Sequence, residues 1–417
     1  MYNGDKKSSM GVLWMDVLDL LDELDEINIL FEPIYSADEH VIAAYEVIGQ
    51  YTNNGEIINI IDFTYDEEIP IDIRTEVELA LVKKAIDLAK DEISQNHVRL
   101  YLPCNPNLLM EDFGDSYFKI LKESLGEKLL PYIYLVIPEH KYEGETEQLQ
   151  HPIRYIRTYG VKVALDNIGS ESNLDQILMF EPATLKINVS QLNYNAWGAQ
   201  NHVFTTIQSL AVKIGAALMF DNIQTDYQLH HAWKSGARFF KGVYLQKPAS
   251  HFIPKDTLKD RFRNECKQFI TAEKRLLEVK YKEMESLGKK IVTIVDNTKP
   301  DGKNVEKLLQ LANQLEDYAF RFYICNDEGF QISPNIVRHN GKWEVEECAV
   351  GKNWSWRPYF LFNIIKIRNS EKGNLSALYS DIETRELTRT YSMALNDHEY
   401  LFVDITYDYL YEHNIVN

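Results

Sequence analysis

Cysteines are few in this sequence and long apolar segments are absent, and each shortage excludes a class of protein. The four cysteines among 417 residues are scattered and form no CxxC pair, which excludes a disulfide framework and a zinc site of ordinary spacing. No apolar run approaches the roughly 20 residues of a membrane span, and the apolar stretch at residues 12–15 is too short for a signal peptide. We therefore expect a cytoplasmic protein with reduced thiols and no membrane span.

Basic residues are also in the minority. The chain has 44 Lys and Arg against 63 Asp and Glu, for a formal net charge of −19. A protein that binds a nucleic-acid polymer needs a basic face that displaces counterions from the phosphates, so this class is excluded. A small anionic ligand remains compatible with the sequence, because a local group of Lys and Arg can oppose the overall sign.

The length of the chain exceeds that of a typical single core. Its apolar share of 45% and charged share of 26% are those of globular domains. Changes of pattern along the chain predict a leader at residues 1–15, a first domain at 16–250, a connector helix at 251–295 and a second domain at 296–417. We therefore expect two domains joined by a helix.

Short apolar runs alternate with amphipathic stretches through the first domain. Glu76–Ala89, for example, places its apolar residues on one helical face. Strands that alternate with helices indicate a parallel sheet, and about eight strands in this length indicate a (β/α)8 barrel or a close variant of it. The first two runs are separated only by Ser36–His40, which predicts that they form an antiparallel hairpin.

Several of the predicted strands end on a polar or charged residue. These residues are Glu46, Asp166, Lys186 and, just past the next strand, Asp221 with Gln224. The C-terminal ends of the strands are where barrel proteins place their functional sites. One such residue would only solvate a strand end or cap the following helix, but several on one face predict a site.

Six short segments in the first domain, taken together, resemble the EAL-domain family, whose members open cyclic di-GMP to linear pGpG. Their order and spacing carry the resemblance, and no G-G-D-E-F segment accompanies them. The resemblance implies a modified TIM-type (β/α)8 barrel with one antiparallel strand. The segments are Glu32-Pro33-Ile34, Glu46-Val47-Ile48, Asp166-Asn167-Ile168-Gly169, Leu185-Lys186-Ile187-Asn188, Asp221-Asn222-Ile223-Gln224 and Lys241-Gly242-Val243-Tyr244.

The resemblance implies a phosphodiesterase centre in which oxygen ligands hold Mg²⁺ or Mn²⁺. Glu46 and Asp166 occupy two of the family's ligand positions. The sequence departs from the family at the others, which are Pro103, Val136, Asn167 and Gln224. Pro and Val offer no side-chain oxygen, and Asn and Gln offer no charge. We therefore expect an incomplete metal site and no cofactor, with Mg²⁺ or Mn²⁺ needed only if the chain is an active enzyme.

Two rearrangements would return oxygen ligands to this centre, one that brings in Asn105 and one that uses Asp221 in place of Gln224. Lys186 matches the family lysine that helps to position the attacking water. It is alternatively a buried charge that is paired with Asp166 or Asn167. We interpret Lys186, together with Glu46 and Glu139, as a relic of the catalytic centre.

The family's nucleotide-binding positions are also changed. The arginine that holds a phosphate is Gln50 here, which loses a charged two-point contact. Glu32 replaces a glutamine and should repel a phosphate, whereas Lys241 replaces another glutamine and should attract one. Asn188 stands in place of an aspartate, and Asp221 completes the set. Base stacking and hydrogen bonds do not depend on a metal ion, so cyclic di-GMP remains a candidate ligand that would bind without hydrolysis.

The region that follows has apolar residues three and four positions apart from Leu258 to Ile294, which predicts a long amphipathic helix. Such a helix either packs on its own domain or serves as a signalling connector that forms a homodimer. Another helix is predicted at Asn304–Asp317. Short strands with turn signals follow, so we expect an α+β domain at the end of the chain. These strands are predicted at Ala319–Cys325, Gln331–Ile332, Lys342–Val345, Thr388–Ala394 and Tyr400–Ile405.

This C-terminal domain resembles sensors of the PAS/Cache type, and its Trp354–Phe360 segment is similar to the ligand-facing segment of Cache domains. The resemblance suggests a pocket in which Arg357 binds a small carboxylate. The alternative is that the aromatic residues form core and that Arg357 makes an internal ion pair. The candidate pocket residues are Trp354, Trp356, Arg357, Tyr359, Asp381 and Asp404.

These features together favour a degenerate, non-catalytic EAL-domain protein of cyclic di-GMP signalling. We expect it to act as a receptor or regulatory module that couples its C-terminal sensory domain to a protein partner that the sequence does not identify. One alternative is an active or weakly active metal-dependent phosphodiesterase. A second alternative is an interaction scaffold that binds no nucleotide. The number of oxygen ligands around Glu46 and Asp166 favours the first interpretation.

Overall fold

The structure, a computed structural model, describes residues 20–53, 55–169, 171–191, 199–357, 360–370 and 373–416. The predicted leader lies outside these residues. The chain divides into two compact units, Met1–Cys266 and Lys267–Asn417. The domain boundaries that we expected near residues 15, 250 and 295 stay predictions. No helix within the described ranges is both long enough and apolar enough to cross a membrane.

Eight strands of the first unit close into a barrel, in the order β1-β9-β8-β7-β6-β5-β4-β2, and a further pairing of β1 with β2 completes the ring. This arrangement confirms the predicted barrel. A ninth strand, β3, extends β2 outside the ring. The strands are β1 (Asn28–Ser36), β2 (Ile42–Asn53), β3 (Glu56–Asn59), β4 (Arg99–Pro103), β5 (Ile133–Pro138), β6 (Lys162–Asp166), β7 (Thr184–Asn188), β8 (Ala217–Asp221) and β9 (Phe239–Phe240).

Helices surround the barrel. The longest of them contains the predicted Glu76–Ala89 face, and its residues Val77, Leu81, Val82, Ala85, Ile86 and Ala89 are buried as expected. The helices are α1 (Ile60–Thr64), α2 (Ile71–Asn96), α3 (Pro106–Met110), α4 (Asp115–Leu125), α5 (Thr146–Thr158), α6 (Leu174–Phe180), α7 (Ala199–Ile214) and α8 (Asp226–Lys234).

Strand β1 runs antiparallel to both of its neighbours in the ring. It pairs with β2 as the predicted hairpin, with Glu32 opposite Glu46. On its other side Tyr35 pairs with Phe240 and Ser36 with Phe239. The other pairs of neighbouring strands in the ring are parallel. The one antiparallel strand that the resemblance implied is therefore β1.

Two details of the barrel differ from the sequence prediction. Strand β3 was missed, because three of its four residues are exposed and it therefore lacks an alternating pattern. The last apolar run of the domain, Phe239–Leu245, predicts a strand of that length, but the strand ends at Phe240. Lys241 still donates its backbone N–H to Phe220 O, after which Gly242 adopts a φ of +147° and turns the chain away from the sheet.

The second unit contains one antiparallel sheet and flanking helices, which confirms the predicted α+β domain. Its sheet has the order β12-β11-β10-β16-β15-β13, and β14 also pairs with β15. Strand β11 was not predicted, whereas the predicted strand at Gln331–Ile332 makes only an isolated bridge through Gln331. The strands are β10 (Ala319–Asn326), β11 (Asn335–His339), β12 (Lys342–Glu346), β13 (Asn374–Leu375), β14 (Tyr379–Ser380), β15 (Leu387–Ala394) and β16 (Glu399–Ile405).

One long helix, α9 (Lys259–Thr298), covers most of the predicted connector. It starts eight residues later than the predicted connector, because the residues before it form turns. The remaining helices are α10 (Val305–Leu315), α11 (Phe360–Ser370) and α12 (Tyr407–Glu412). Helix α10 buries Leu308, Leu311, Ala312 and Leu315, so its apolar face forms part of the core of the second unit.

The turn at Gly242 generates a prediction about the stability of the barrel. A Cβ atom at this position would lie 2.2 Å from Ile223 N and 2.3 Å from Ile223 O, and backbone cannot yield as a flexible side chain can. We expect Gly242→Ala to lower the free energy of unfolding by about 3 kcal/mol or more, measured by denaturant titration. The matched control is Gly215→Ala, at a φ of +72° with open space around it, which should cost only about 1 kcal/mol. Equal losses would contradict the steric explanation.

Candidate functional site

Six charged side chains meet at the end of the barrel where the parallel strands terminate. The ion pairs below join them into one group, which we call the barrel charge cluster. Each belongs to a different strand or lies directly after one, so strand register alone brings them together. The members are Glu32 on β1, Glu46 on β2, Asp166 on β6, Lys186 on β7, Asp221 on β8 and Lys241 after β9.

Lys186 lies at the inner side of this cluster, with a side chain that is 0% exposed. Its Nζ atom is 2.8 Å from Glu46 Oε1, 2.9 Å from Asp166 Oδ2 and 3.7 Å from Asp221 Oδ2. Burial lowers the pKa of Lys186, but the three carboxylates outweigh burial and raise that pKa above its ordinary value. Lys186 is therefore a buried lysine that is paired with Glu46 and Asp166.

Lys241 forms the second centre of positive charge. Its Nζ atom is 2.9 Å from Glu32 Oε2, 3.1 Å from Asp221 Oδ2 and 3.3 Å from Glu46 Oε2. Burial opposes its charge, yet these carboxylates hold the pKa of Lys241 well above the usual range. We had considered Glu32 and Lys241 separately, as a repulsive and an attractive residue for phosphate. In the structure they neutralise each other.

The acids respond differently to the shared lysines. Burial is the largest influence on Glu32 and raises its pKa, although Lys241 acts against burial. Burial also pushes the pKa of Asp221 upward, but Lys241 and Lys186 together lower it below the ordinary value. The two ammonium groups thus stabilise Asp221 as a carboxylate in a place where it would otherwise be costly.

The two strand-end aspartates are held in the same way. Asp166 Oδ1 accepts a hydrogen bond from the backbone N–H of Asn167 at 2.8 Å, and Asp221 Oδ1 accepts one from that of Asn222 at 2.5 Å. Both asparagines adopt left-handed backbone, with φ of 59° and 62°. Asn tolerates this conformation better than most residues, so the sequence Asp-Asn at a strand end fixes the carboxylate toward the cluster.

The positions where the family places the remaining metal ligands offer few oxygens. Pro103 ends β4, and Val136 is buried in the barrel interior. Asn105, which we considered as a substitute ligand, is engaged elsewhere. Its Nδ2 donates to Thr64 O at 2.8 Å, and its Oδ1 accepts from Asn107 N at 3.0 Å as the N-cap of α3.

The other two substituted positions are exposed, and the contacts found for them are local. The backbone of Asn167 binds Asp166, and Gln224 donates from Nε2 to Asn222 Oδ1 at 3.0 Å. Within the ranges that the structure describes, no three His, Cys, Asp or Glu side chains are grouped as ligands for one metal ion. The carboxylates of the cluster face ammonium groups instead, so the residues as they stand do not fit a pair of divalent cations.

Glu139 lies outside the cluster, although we had grouped it with Glu46 and Lys186. Its side chain is buried and accepts a hydrogen bond from Ser172 Oγ and another from Asn173 N at 2.6 Å. His140 Nε2 is 3.4 Å away. Glu139 therefore positions the loop that follows β6, and through it the strand end that carries Asp166.

The remaining nucleotide positions lie near the same end of the barrel. Gln50 is four residues beyond Glu46 on β2 and is paired in register with Asn28 and Asn59. Asn188 ends β7, and its Oδ1 accepts from Ser190 N at 2.9 Å and from Asn222 Nδ2 at 3.5 Å. Neither residue presents a charge.

In the second unit Arg357 lies against aromatic rings, as the sequence suggested. Its guanidinium carbon is 4.6 Å from the ring centroid of Trp354 and 5.6 Å from that of Trp356. Trp354 donates its indole N–H to Gln331 Oε1 at 2.9 Å, whereas Trp356 is 65% exposed. Tyr359 lies outside the described residues.

Asp381 and Asp404 are bound by an arginine that the sequence analysis missed. Arg321 donates from Nε to Asp404 Oδ2 at 2.7 Å, from Nη2 to Asp381, and from Nη1 to Glu383 Oε2 at 2.8 Å. Asp404 also accepts from Thr390 Oγ1 at 2.6 Å. The signal was available, because Arg321 interrupts the otherwise apolar run of β10. The acids of our candidate pocket thus have an internal partner.

Two protein families match the chain. Residues 16–248 match the EAL domain, and residues 252–416 match a domain described as an EAL-domain associated signalling protein domain. A curated relative, an uncharacterized EAL-domain containing protein YkuI of Bacillus subtilis, is 39% identical over 404 residues. That alignment covers 95% of this chain and 98% of the relative.

Solved structures resemble this chain to different degrees. The crystal structure of B. subtilis YkuI, in complex with its substrate c-di-GMP and calcium, superposes with a TM-score of 0.90 at 39% identity and covers 96% of this chain and 100% of that one. The FimX EAL domain of Xanthomonas citri, in complex with c-di-GMP, has a TM-score of 0.49 at 18% identity and covers 58% of this chain and 96% of that one. From the two family matches and the extensive identity to YkuI, we conclude that this chain belongs to the EAL-domain family.

Proposed function

We propose that this protein is a degenerate, non-catalytic EAL-domain protein that takes part in cyclic di-GMP signalling. It acts as a receptor or regulatory module in the cytoplasm that couples a ligand of its C-terminal domain to a protein partner. One observation carries the proposal. Glu46 and Asp166, which retain the family's ligand identity, both pair with the ammonium of Lys186 at 2.8 and 2.9 Å.

The loss of catalysis follows from the chemistry of the site. Hydrolysis in this family needs a divalent cation that binds the phosphate and lowers the pKa of its bound water. Such cations require several oxygen ligands at once. Pro103 and Val136 supply none from their side chains, and no metal cofactor is part of the proposed function.

Nucleotide binding is supported by the relative. The YkuI protein, 39% identical to this chain, was solved with c-di-GMP. Base stacking and hydrogen bonds contribute to such a complex without any metal. We propose that c-di-GMP binds at the end of the barrel that carries Glu32, Gln50, Asn188, Asp221 and Lys241.

For the C-terminal domain we propose a sensor of the PAS/Cache type that binds a small carboxylate at Arg357. The two tryptophan rings lie beside its guanidinium, which lowers its exposure to water. A planar guanidinium of this kind matches the two oxygens of a carboxylate. Arg321 pairs with Asp381 and Asp404, so these two acids of the candidate pocket have a cation of their own.

A homodimer through helix α9 completes the proposal. Phe262 and Cys266 of this helix are buried in the first unit, and Leu287 and Ile291 are buried in the second. Between them, Leu276, Leu277 and Tyr281 are 61%, 59% and 72% exposed. An apolar stripe that its own chain leaves open is typical of a helix that pairs with a second copy.

The first prediction concerns catalysis. The full chain with excess Mn²⁺ should leave c-di-GMP intact while it binds the nucleotide, because the ligand positions at Pro103 and Val136 lack oxygens. Product analysis by chromatography measures the first property, and calorimetry measures the second. Turnover that disappears in Glu46→Gln would establish an active phosphodiesterase instead. Absence of both turnover and binding would favour the scaffold interpretation.

The second prediction concerns the carboxylate. In a thermal-shift screen of organic acids and amino acids, at least one compound should raise the melting temperature of the parent and not that of Arg357→Ala. Arg338→Ala, which removes an arginine from β11 of the same unit, is the control and should keep the response. The pocket is refuted if no compound shifts the parent, while Arg357→Ala is destabilised without any ligand, since Arg357 would then be structural.

The third prediction concerns assembly. Leu276→Glu with Leu277→Glu should convert a dimer into a monomer, because four carboxylates would face one another across the two helices of the pair. Light scattering of the full chain measures the mass directly. Val212→Glu, at a 77% exposed position on α7, is the control and should remain dimeric. A parent that is already a monomer would contradict the proposed dimer.

A further inference from the structure

Lys241 has surroundings that are unusual for a lysine. Carboxylate oxygens from three different strands lie within 3.3 Å of its Nζ atom, those of Glu32, Glu46 and Asp221. Only 6% of the side chain is exposed. Proteins use a similar arrangement to bind a hard divalent cation, which they surround with several carboxylate oxygens in a site that is largely withdrawn from water.

The strand register makes a cation at this point necessary. Glu32 and Glu46 stand directly opposite each other in the β1–β2 pair, where like charges destabilise a sheet. Glu46 Oε2 is buried and, among the described residues, accepts no hydrogen bond. The Lys241 ammonium lies 3.3 Å from that oxygen. Without a cation here, two carboxylates would face each other inside the barrel.

We infer that the Lys241 ammonium is the resident cation of the barrel charge cluster and that it excludes divalent metal ions from the oxygens of Glu32, Glu46 and Asp221. This inference rests on the proposed non-catalytic function and adds a cause to it. Missing ligands weaken metal binding, whereas Lys241 opposes it directly, because the ammonium and the metal would compete for the same carboxylates.

Lys186 does not have this role. It is enclosed completely, and its two shortest contacts are with Glu46 Oε1 and Asp166. Lys241 instead takes the other oxygen of Glu46 and adds Glu32 and Asp221. Two lysines against four carboxylates leave the cluster with two negative charges. That charge would attract a metal ion if the position between Glu32, Glu46 and Asp221 were open.

The test is the binding of Mn²⁺ to the full chain without nucleotide, measured by calorimetry. Lys241→Gln should bind Mn²⁺ at least about tenfold more tightly than the parent, since a positive charge close to the metal is removed. Mn²⁺ should also raise the melting temperature of Lys241→Gln, in which three carboxylates are left without their shared partner, and leave that of the parent unchanged.

A double variant distinguishes the effect of the Lys241 position from the effect of net charge. It also keeps the test valid if Lys241→Gln alone misfolds. Glu32→Gln with Lys241→Gln replaces an ion pair by two amides, so the cluster keeps two negative charges and no carboxylate loses its only partner. It should also bind Mn²⁺ more tightly than the parent. Lys255→Gln removes a lysine that is 65% exposed, and it should bind like the parent.

The inference is overturned if the parent binds Mn²⁺ as tightly as Lys241→Gln and the double variant. It is also overturned if Lys255→Gln gains as much affinity as Lys241→Gln, since net charge would then be the cause. A failure of this inference can be distinguished from a failure of the proposed function. A parent that hydrolyses c-di-GMP would refute the non-catalytic proposal, but the order of Mn²⁺ affinities alone decides the role of Lys241.

Discussion

The pairing of four carboxylates with two ammonium groups is the interaction on which the rest of the barrel depends. All six groups are on or directly after different strands, and each is largely removed from water. Breaking one buried ion pair by removing a single partner typically costs about 3–5 kcal/mol. The strands must therefore keep their register, and a slip of one residue in β1 or β2 would turn Glu32 or Glu46 away from its lysine.

The same interaction constrains what the site can bind. A phosphate group that approaches the cluster meets two lysines that are already engaged and a surplus of negative charge. A nucleotide that binds as we propose would therefore gain little of its binding energy from these two lysines. This differs from a catalytic centre, in which a metal ion would supply positive charge directly to the phosphate.

Much of the barrel could be predicted because its signals are local. Strands that alternate with amphipathic helices specify a parallel ring, and the short Ser36–His40 connection specifies the hairpin. Glu46, Asp166, Lys186 and Asp221 were found because each ends an apolar run. The contact between Glu32 and Lys241 was not predictable in the same way. It depends on the closure of β1 against β9, which joins segments about 200 residues apart.

In the second unit, too, contacts between neighbours in sequence could be predicted and contacts between distant segments could not. The aromatic surroundings of Arg357 were predicted because Trp354 and Trp356 are its neighbours in sequence. The partners of Asp381 and Asp404 were missed because Arg321 reaches them across the sheet from β10. Strand β11 and strand β3 were missed for a different reason, since short strands at or near a sheet edge have weak patterns.

The pairing of β1 with β9 also has a consequence for how the protein is made. The first strand of the barrel cannot find its second neighbour until the ribosome has synthesised the last one, so the nascent chain carries an unsatisfied strand edge for most of the domain. Such an edge is a site for aggregation or for pairing with the wrong partner.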